Sequence, residues 1–258
     1  MFEVALSSLW SRRGSVMLTL ASLTISMAIV IGVEHVRDQA ENSFVRTVSG
    51  VDLLVGARTS QINLLLYSVF RIGNPTNNIQ WQSYEDIDAR PEVAWSIPFS
   101  LGDSHRGYRV LGTTGDYFEH FRYGDEEVLR FAQGVEFTTP LHAVLGSEVA
   151  TLGYELGQDI VLSHGIGNTS FVNHDNLPFT VTGILAPTGT PVDRTIHVSL
   201  QGIEAIHLGW QNGVQVSAFS PDADDPRLTE LQPTQITAIL LGLESPMAVF
   251  GLQRAINN

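Results

Sequence analysis

His164 and His174 flank a polar loop, and Asp175 stands beside the second. Two imidazoles and a carboxylate form a donor set for a first-row transition metal. The competing reading is a solvated surface loop with at most weak zinc binding, so no metal ligand is assigned. Ser104 and His105 are adjacent within Gly-Asp-Ser-His-Arg-Gly, residues 102–107. Neighbouring side chains diverge, so this run is expected to be a turn and not a nucleophile–base pair. Glu85, Asp86 and Asp88 crowd one helical stretch. Paired carboxylates serve general acid–base chemistry, but a solvated helix face accounts for the same pattern and is the expectation. Gly165-Ile-Gly is a lone glycine pair and too short a signal for a phosphate cradle. Asp193 and Arg194 close a compact turn beginning at Thr188, and two readings stand: a local hydrogen-bond anchor or a partner contact.

Composition removes whole classes of chemistry. All 14 cationic side chains are arginine, and the chain has no lysine. A Walker A lysine, a Schiff-base lysine and a lysine general base are therefore excluded. Cysteine is absent too, which excludes disulfides, thiolate zinc sites and iron–sulfur clusters and is compatible with a bacterial periplasm. No HExxH, GxSxG, P-loop or EF-hand pattern occurs. A net charge of -13 disfavours nucleic acid, whose phosphates need clustered cations. No catalytic or cofactor-binding residue is assigned, and the expectation is a protein that is not an enzyme.

The elements that would position these residues begin with a membrane segment. Residues 14–33 carry no charge. About 20 apolar residues in a helix cover roughly 30 Å, the thickness of a hydrocarbon core. Serine and threonine within the run can bond back to the helix backbone. Arg12 and Arg13 precede it, and Glu34 and Asp38 follow. The positive-inside rule then places the N-terminus in the cytoplasm and the rest outside. A cleaved signal peptide is the competing reading, but its apolar core is usually about 7–15 residues and no small-x-small cleavage site stands out. The span is expected to be retained. Residues 1–13 place Phe2, Ala5, Leu6, Leu9 and Trp10 on one helical face, as a cytoplasmic interfacial segment would.

Residues 34–49 continue the helix as a polar stalk, which Gly50 ends. Strands are expected at 51–55, 93–101, 108–112, 160–163, 179–185, 195–200 and 236–241. Helices are expected at 62–70 (a buried core helix), 81–90 (amphipathic), 147–157, 201–208 and 245–257. Residues 212–232 are expected to be a long solvated loop. The fold class is α+β: one N-terminal transmembrane helix and a large acidic outer domain.

In this order the parts resemble the N-terminal half of a MacB-like ABC transporter permease of the FtsX/LolC/LolE/MacB group. The segments that carry the resemblance are LSSLWSRRGSVMLTLASLTISMAI before and within the span, YRVLGTTGDYF (108–118), AVLGSEVATLGYELGQDIVL (143–162) and FTVTGILAPTGTPVDRTIHVSL (179–200). The resemblance implies a periplasmic domain of two lobes. A porter-like α/β lobe is assembled from about 50–121 and 208–258, and a β-rich lobe, about 122–207, is inserted in it. It also implies four membrane helices, of which this chain carries the first, so that the chain looks like a fragment. Further implications are a cytoplasmic ATPase partner, a permease dimer, a periplasmic partner protein, a place in the bacterial inner membrane, and a domain that transmits ATP-driven motion. Two alternatives stand beside it: a membrane-tethered periplasmic binding or adaptor module, metal-linked through His164 and His174, and, with no nucleophile motif behind it, a membrane-anchored hydrolase.

Overall fold

The computed structural model describes residues 10–164, 177–208, 210–211, 214–215 and 225–257. The chain forms two compact units, Met1–Val45 and Arg46–Asn258.

The first unit is dominated by helix α1, which runs unbroken over Arg13–Thr47 and ends just inside the second unit. At 1.5 Å per residue it is about 50 Å long. Its apolar stretch, Arg13–Asp38, has a mean hydropathy of 2.3, and none of it is buried against protein. Leu18, Leu23 and Ile29 all project outward. A helix apolar all round needs a core or a membrane around it. Among the described residues no protein core encloses this one, and it is long and apolar enough to cross a membrane. The two threonine hydroxyls of its apolar stretch bond back to the helix, as expected: Thr19 donates to the Ser15 carbonyl at 3.0 Å and Thr24 to the Leu20 carbonyl at 2.8 Å. Of the segment before it, Trp10 is exposed, and residues 1–9 lie outside the described residues.

The second unit is built on a mixed sheet of ten strands. Its main strands are β1 (Leu53–Gly56), β3 (Val93–His105), β4 (Tyr108–Thr113), β7 (Phe131–Gly134), β8 (His142–Leu145), β11 (Phe179–Leu185), β12 (Thr195–Ser199) and β16 (Ala238–Leu243). They lie in the order β1-β16-β3-β4-β12-β8-β11-β7; β10 (Ser163–His164) adds to β3 and β9 (Asp159–Ile160) to β11. β4 with β12 and β8 with β11 are parallel pairs, and the rest are antiparallel. Two-residue strands form small side pairs: β2 (Ile79–Gln80) with β15 (Gln235–Ile236), β5 (Arg122–Tyr123) with β6 (Glu127–Val128), and β13 (Trp210–Gln211) with β14 (Val214–Gln215).

Both faces of the central strands are covered, so they are apolar without alternation. On β16, Ala238 and Leu240 enter a core around Tyr117 and Phe99, while Ile239, Leu241 and Leu243 enter one around Tyr84, Ile87 and Leu252. A third core gathers Ile196 and Val198 of β12 with Phe179, Val181 and Val149. The helices that cover the sheet are α2 (Gln61–Ser68), α3 (Trp81–Asp88), α4 (Asp116–His120), α5 (Ser147–Ala150), α6 (Leu200–His207) and α7 (Val249–Asn257). Serines cap two of them: Ser60 accepts from Asn63 N at 3.1 Å and Ser199 from Gly202 N at 2.8 Å.

Several sequence expectations need correction. The run 102–107 is strand for most of its length; the turn is Arg106-Gly107, with φ of 49° and 85°. Two successive left-handed residues match the twist of a tight antiparallel hairpin, and a register shift between Leu101 and Ser104 takes up the extra length. Helix α2 is not a buried core helix. It has only two turns, it buries Tyr67 and Ser68, and Ile62 and Leu66 remain exposed. The strand expected at 160–163 is two short ones on different partners, and the loop expected at 212–232 includes β14 and a 3-10 turn at Pro226–Glu230.

Candidate functional site

The residues that follow α1 are held more by backbone than by side chain. Thr47 is buried, and Val48 and Val51 pack on the Tyr117 core. Between them Ser49 forms an antiparallel bridge with Arg122, its amide donating to the Arg122 carbonyl at 3.0 Å. Gly50 has φ 68°, and a Cβ there would meet nothing closer than 3.9 Å. The glycine is required by its left-handed backbone, not by crowding. Asp52 then clamps β16 twice: its amide donates to the Leu241 carbonyl at 3.0 Å, and its carboxylate accepts from the Leu243 amide at 2.8 Å. From Leu53 the chain is in register with Leu241, and β1 is paired as far as Gly56 with Ala238. The first and last strands of the unit therefore lie side by side. No reacting group is present in this stretch. The Ser49 amide and both the amide and carboxylate of Asp52 are spent on the main chain, while the buried Ser49 hydroxyl makes no hydrogen bond.

The residues with chemical potential fall elsewhere. His164 pairs with Asp103 through the β10–β3 ladder; its side chain, with His174, Asp175, Gly165 and Gly167, lies outside the described residues. Ser104 and His105 sit on successive strand positions and point apart. Ser104 is buried, while the ring of His105 reaches the Tyr154 hydroxyl at 2.5 Å and the Val161 carbonyl at 2.6 Å. Those bonds tie the hairpin to the 154–161 segment. Glu85, Asp86 and Asp88 are exposed on α3. Glu85 accepts from the Trp81 indole at 3.0 Å and Asp88 from Ser96 at 2.5 Å, so they do not converge on a common point. Asp193 is the local anchor: one carboxylate oxygen accepts from the Thr188 amide at 2.8 Å and hydroxyl at 2.9 Å, the other from the Gly189 amide at 2.7 Å.

Among the described residues one group could hold a cation, and it was not visible in the sequence: Asp116, Glu119 and His120 on α4, whose donor atoms lie within 4.8 Å of one another. Asp116 already accepts from Thr114 at 2.8 Å, and the His120 ring stacks on Trp95 at 5.3 Å. Three donors, two of them exposed carboxylates, are few for a hard cation, and no metal site is assigned. His197 was likewise unforeseen. It is fully buried on β12, its Nδ1 lies 3.3 Å from the Val144 carbonyl, and its ring lies 5.0 Å from that of Tyr117. Burial, and then the charge of Arg71, push its pKa down to about 3, so the ring is a neutral part of the core. Tyr117 is pushed up to about 12 by the same burial.

The family described as MacB-like periplasmic core domain matches residues 16–235, which is most of the chain. No curated protein matches the sequence. Solved structures similar to it include two that cover most of its length. The extracellular domain of the ABC-type transporter YknZ from Gram-positive bacteria is 12% identical, with 79% of this chain and 91% of that one covered at a TM-score of 0.43. The periplasmic region of MacB from Actinobacillus actinomycetemcomitans is 11% identical, with 83% and 87% covered at a TM-score of 0.45. With its apolar N-terminal helix and mixed sheet domain, the chain belongs to the MacB-like periplasmic core domain family.

Proposed function

We propose that this chain is the N-terminal part of an ABC transporter permease whose periplasmic domain transmits ATP-driven motion, to export a substrate across the bacterial inner membrane or extract one from it. One observation carries the proposal: α1 is a single helix from the apolar span into its polar part, Arg13–Thr47, with no glycine or proline between Val33 and Ser49. A helix transmits displacement while its hydrogen bonds are intact. Two residues past its end the chain is fixed to Arg122, and five past it to β16.

The flanking charges support a cytoplasmic N-terminus and an outer domain beyond the membrane. A chain without lysine cannot supply a Walker A site, which supports an ATPase on a separate partner or domain. The proposal includes a permease dimer and a periplasmic partner, and gives the chain itself no catalytic role. It divides the domain into a porter-like lobe, about 50–121 with 208–258, and an inserted lobe, about 122–207. The pairing of β1 with β16, from the two ends of the domain, supports the first lobe. The parallel pairing of β4 with β12 crosses the division, so the lobes should move together and not hinge freely.

The test is Gln39→Pro in the complete permease with its ATPase, against Gln39→Ala. Proline in a helix interior costs about 3 kcal/mol and kinks it. The expected result is ATP hydrolysis that persists while transport, and the ATP-dependent change in proteolysis of the outer domain, are lost; the alanine variant should behave as wild type. Normal transport through a demonstrably kinked α1 would make the segment a passive tether.

A further inference from the structure

We propose that the cavity between residues 70–73, the β3–β4 turn and the 189–194 loop is a binding site for a small organic oxyanion, a carboxylate or phosphate carried on an apolar body. The cavity measures about 740 Å³ and is lined by three arginines, Arg71, Arg109 and Arg194, against two acids, Glu148 and Asp193. That balance is cationic in a chain whose net charge is -13.

The acids are already engaged. Glu148 faces Arg194 at 3.3 Å, and Asp193 is held by Thr188 and Gly189. Arg71 and Arg109 are left without a carboxylate at ion-pair distance among the described residues. Arg109 is 8% exposed and donates to the Asn74 side chain at 3.1 Å and to the Gly73 carbonyl, which uses two of its five donors. Arg71 donates to the Ser68 carbonyl, lies over the Phe99 ring at 4.9 Å and faces the buried Tyr117 hydroxyl, while its buried Nε makes no well-aligned hydrogen bond. It is also one of three non-glycine residues with positive φ among the described residues, at 59°, a conformation disfavoured for a side chain with a Cβ. Strain of this kind collects at ligand sites.

Arg109 is buried and Arg71 half-buried; a cation shielded from water without a counter-ion is costly, and two of them repel. Burial lowers the pKa of both guanidiniums, and the charge of Arg71 lowers that of Arg109 further. An oxyanion would relieve both effects, since the guanidinium fork fits carboxylate and phosphate in the same bidentate way. Ile72, Tyr108 and Pro191 give the cavity an apolar side. The volume falls in the range of small-molecule sites, roughly 300–1,000 Å³, which favours a small ligand over the tip of a partner's acidic side chain.

The test is calorimetric titration of the full chain in maltoside detergent with benzoate, phenyl phosphate and, as neutral control, benzamide. Saturable one-to-one binding of at least one anion, with benzamide at least tenfold weaker, is expected; the tighter anion then separates carboxylate from phosphate. Arg109→Gln should weaken that binding at least tenfold. Because Arg109 also holds Gly73 and Asn74, Glu148→Gln at the rim is the second variant. It removes a competing carboxylate and should strengthen binding several-fold. The proposal is overturned if neither anion binds saturably, if benzamide binds equally well, or if Glu148→Gln leaves anion binding unchanged.

Discussion

Strand β16 and helix α1 are built from the same kinds of side chain and have opposite fates. In Ala-Ile-Leu-Leu-Gly-Leu of β16 every residue is buried, whereas Leu18 and Leu23 of α1 are 75% and 65% exposed. The backbone explains the difference. A strand must borrow hydrogen bonds from neighbours, and β1 and β3 bring apolar side chains with theirs. A long helix satisfies its own backbone and can leave every side chain to the lipid. Hydropathy marks which residues avoid water; length and period decide what replaces the water.

The sharpest way to break the comparison is to make one substitution in both regions. Leu240 is 1% exposed, and Leu240→Ala should cost the outer domain about 3 kcal/mol, within the usual range for a core leucine. Leu23→Ala should change the unfolding free energy of the same domain, from urea titration, by less than about 0.5 kcal/mol. Equal losses would mean that α1 packs on protein.

A smaller effect is expected at Gly242 in the same strand. A Cβ there would lie 2.1 Å from the Trp95 ring. Gly242→Ala should therefore cost about 2 kcal/mol through overpacking, together with a change in tryptophan fluorescence. No loss would show that the indole can swing aside at no cost.

Next comes pH. The folded pKa of His197 is about 3, well below the usual value, so the unfolded chain takes up this proton first as pH falls. The stabilisation from keeping the ring neutral is complete above about pH 6.5 and declines below it by up to about 1.4 kcal/mol per pH unit. His197→Gln should be less stable than wild type at pH 7.5, but should lose less stability between pH 6.5 and 5. Parallel pH profiles for the two proteins would refute the assignment. The smallest effect belongs to α1: Thr24→Val removes a hydroxyl that bonds only its own helix, at 2.8 Å, and should leave domain stability unchanged within about 0.5 kcal/mol.

Much of the fold was legible because strong local signals agreed with the tertiary structure. The uncharged run 14–33 and the strands at 179–185 and 195–199 stand where hydropathy and β-branching put them. What failed was local evidence that a neighbour overrules. Gly102 and Asp103 look like turn residues, yet β4 and β10 hold them in a strand, and the real turn is the less conspicuous Arg106-Gly107. Gly242 looks like a strand end until Trp95 is seen across it. The attachment at Asp52 and Arg122 could not be found from spacing, since its partners are 70 and more residues apart in the chain. Nor could the arginine cavity, whose walls come from four separate segments.

The claim at the centre of this account is that α1 behaves as one stiff rod from the membrane into its polar part. The chain has no cysteine, so two introduced ones label cleanly. Spin labels at Leu23→Cys and Asn42→Cys, 19 residues apart on one helix, should sit about 28 Å apart along its axis. The measurement is their distance distribution by pulsed electron resonance in the complete permease with its ATPase, in the apo, ATP-trapped and post-hydrolysis states. A single narrow peak that does not move between states is the predicted result; an ATP-dependent shortening or a second peak would show that the helix bends, and would contradict the account.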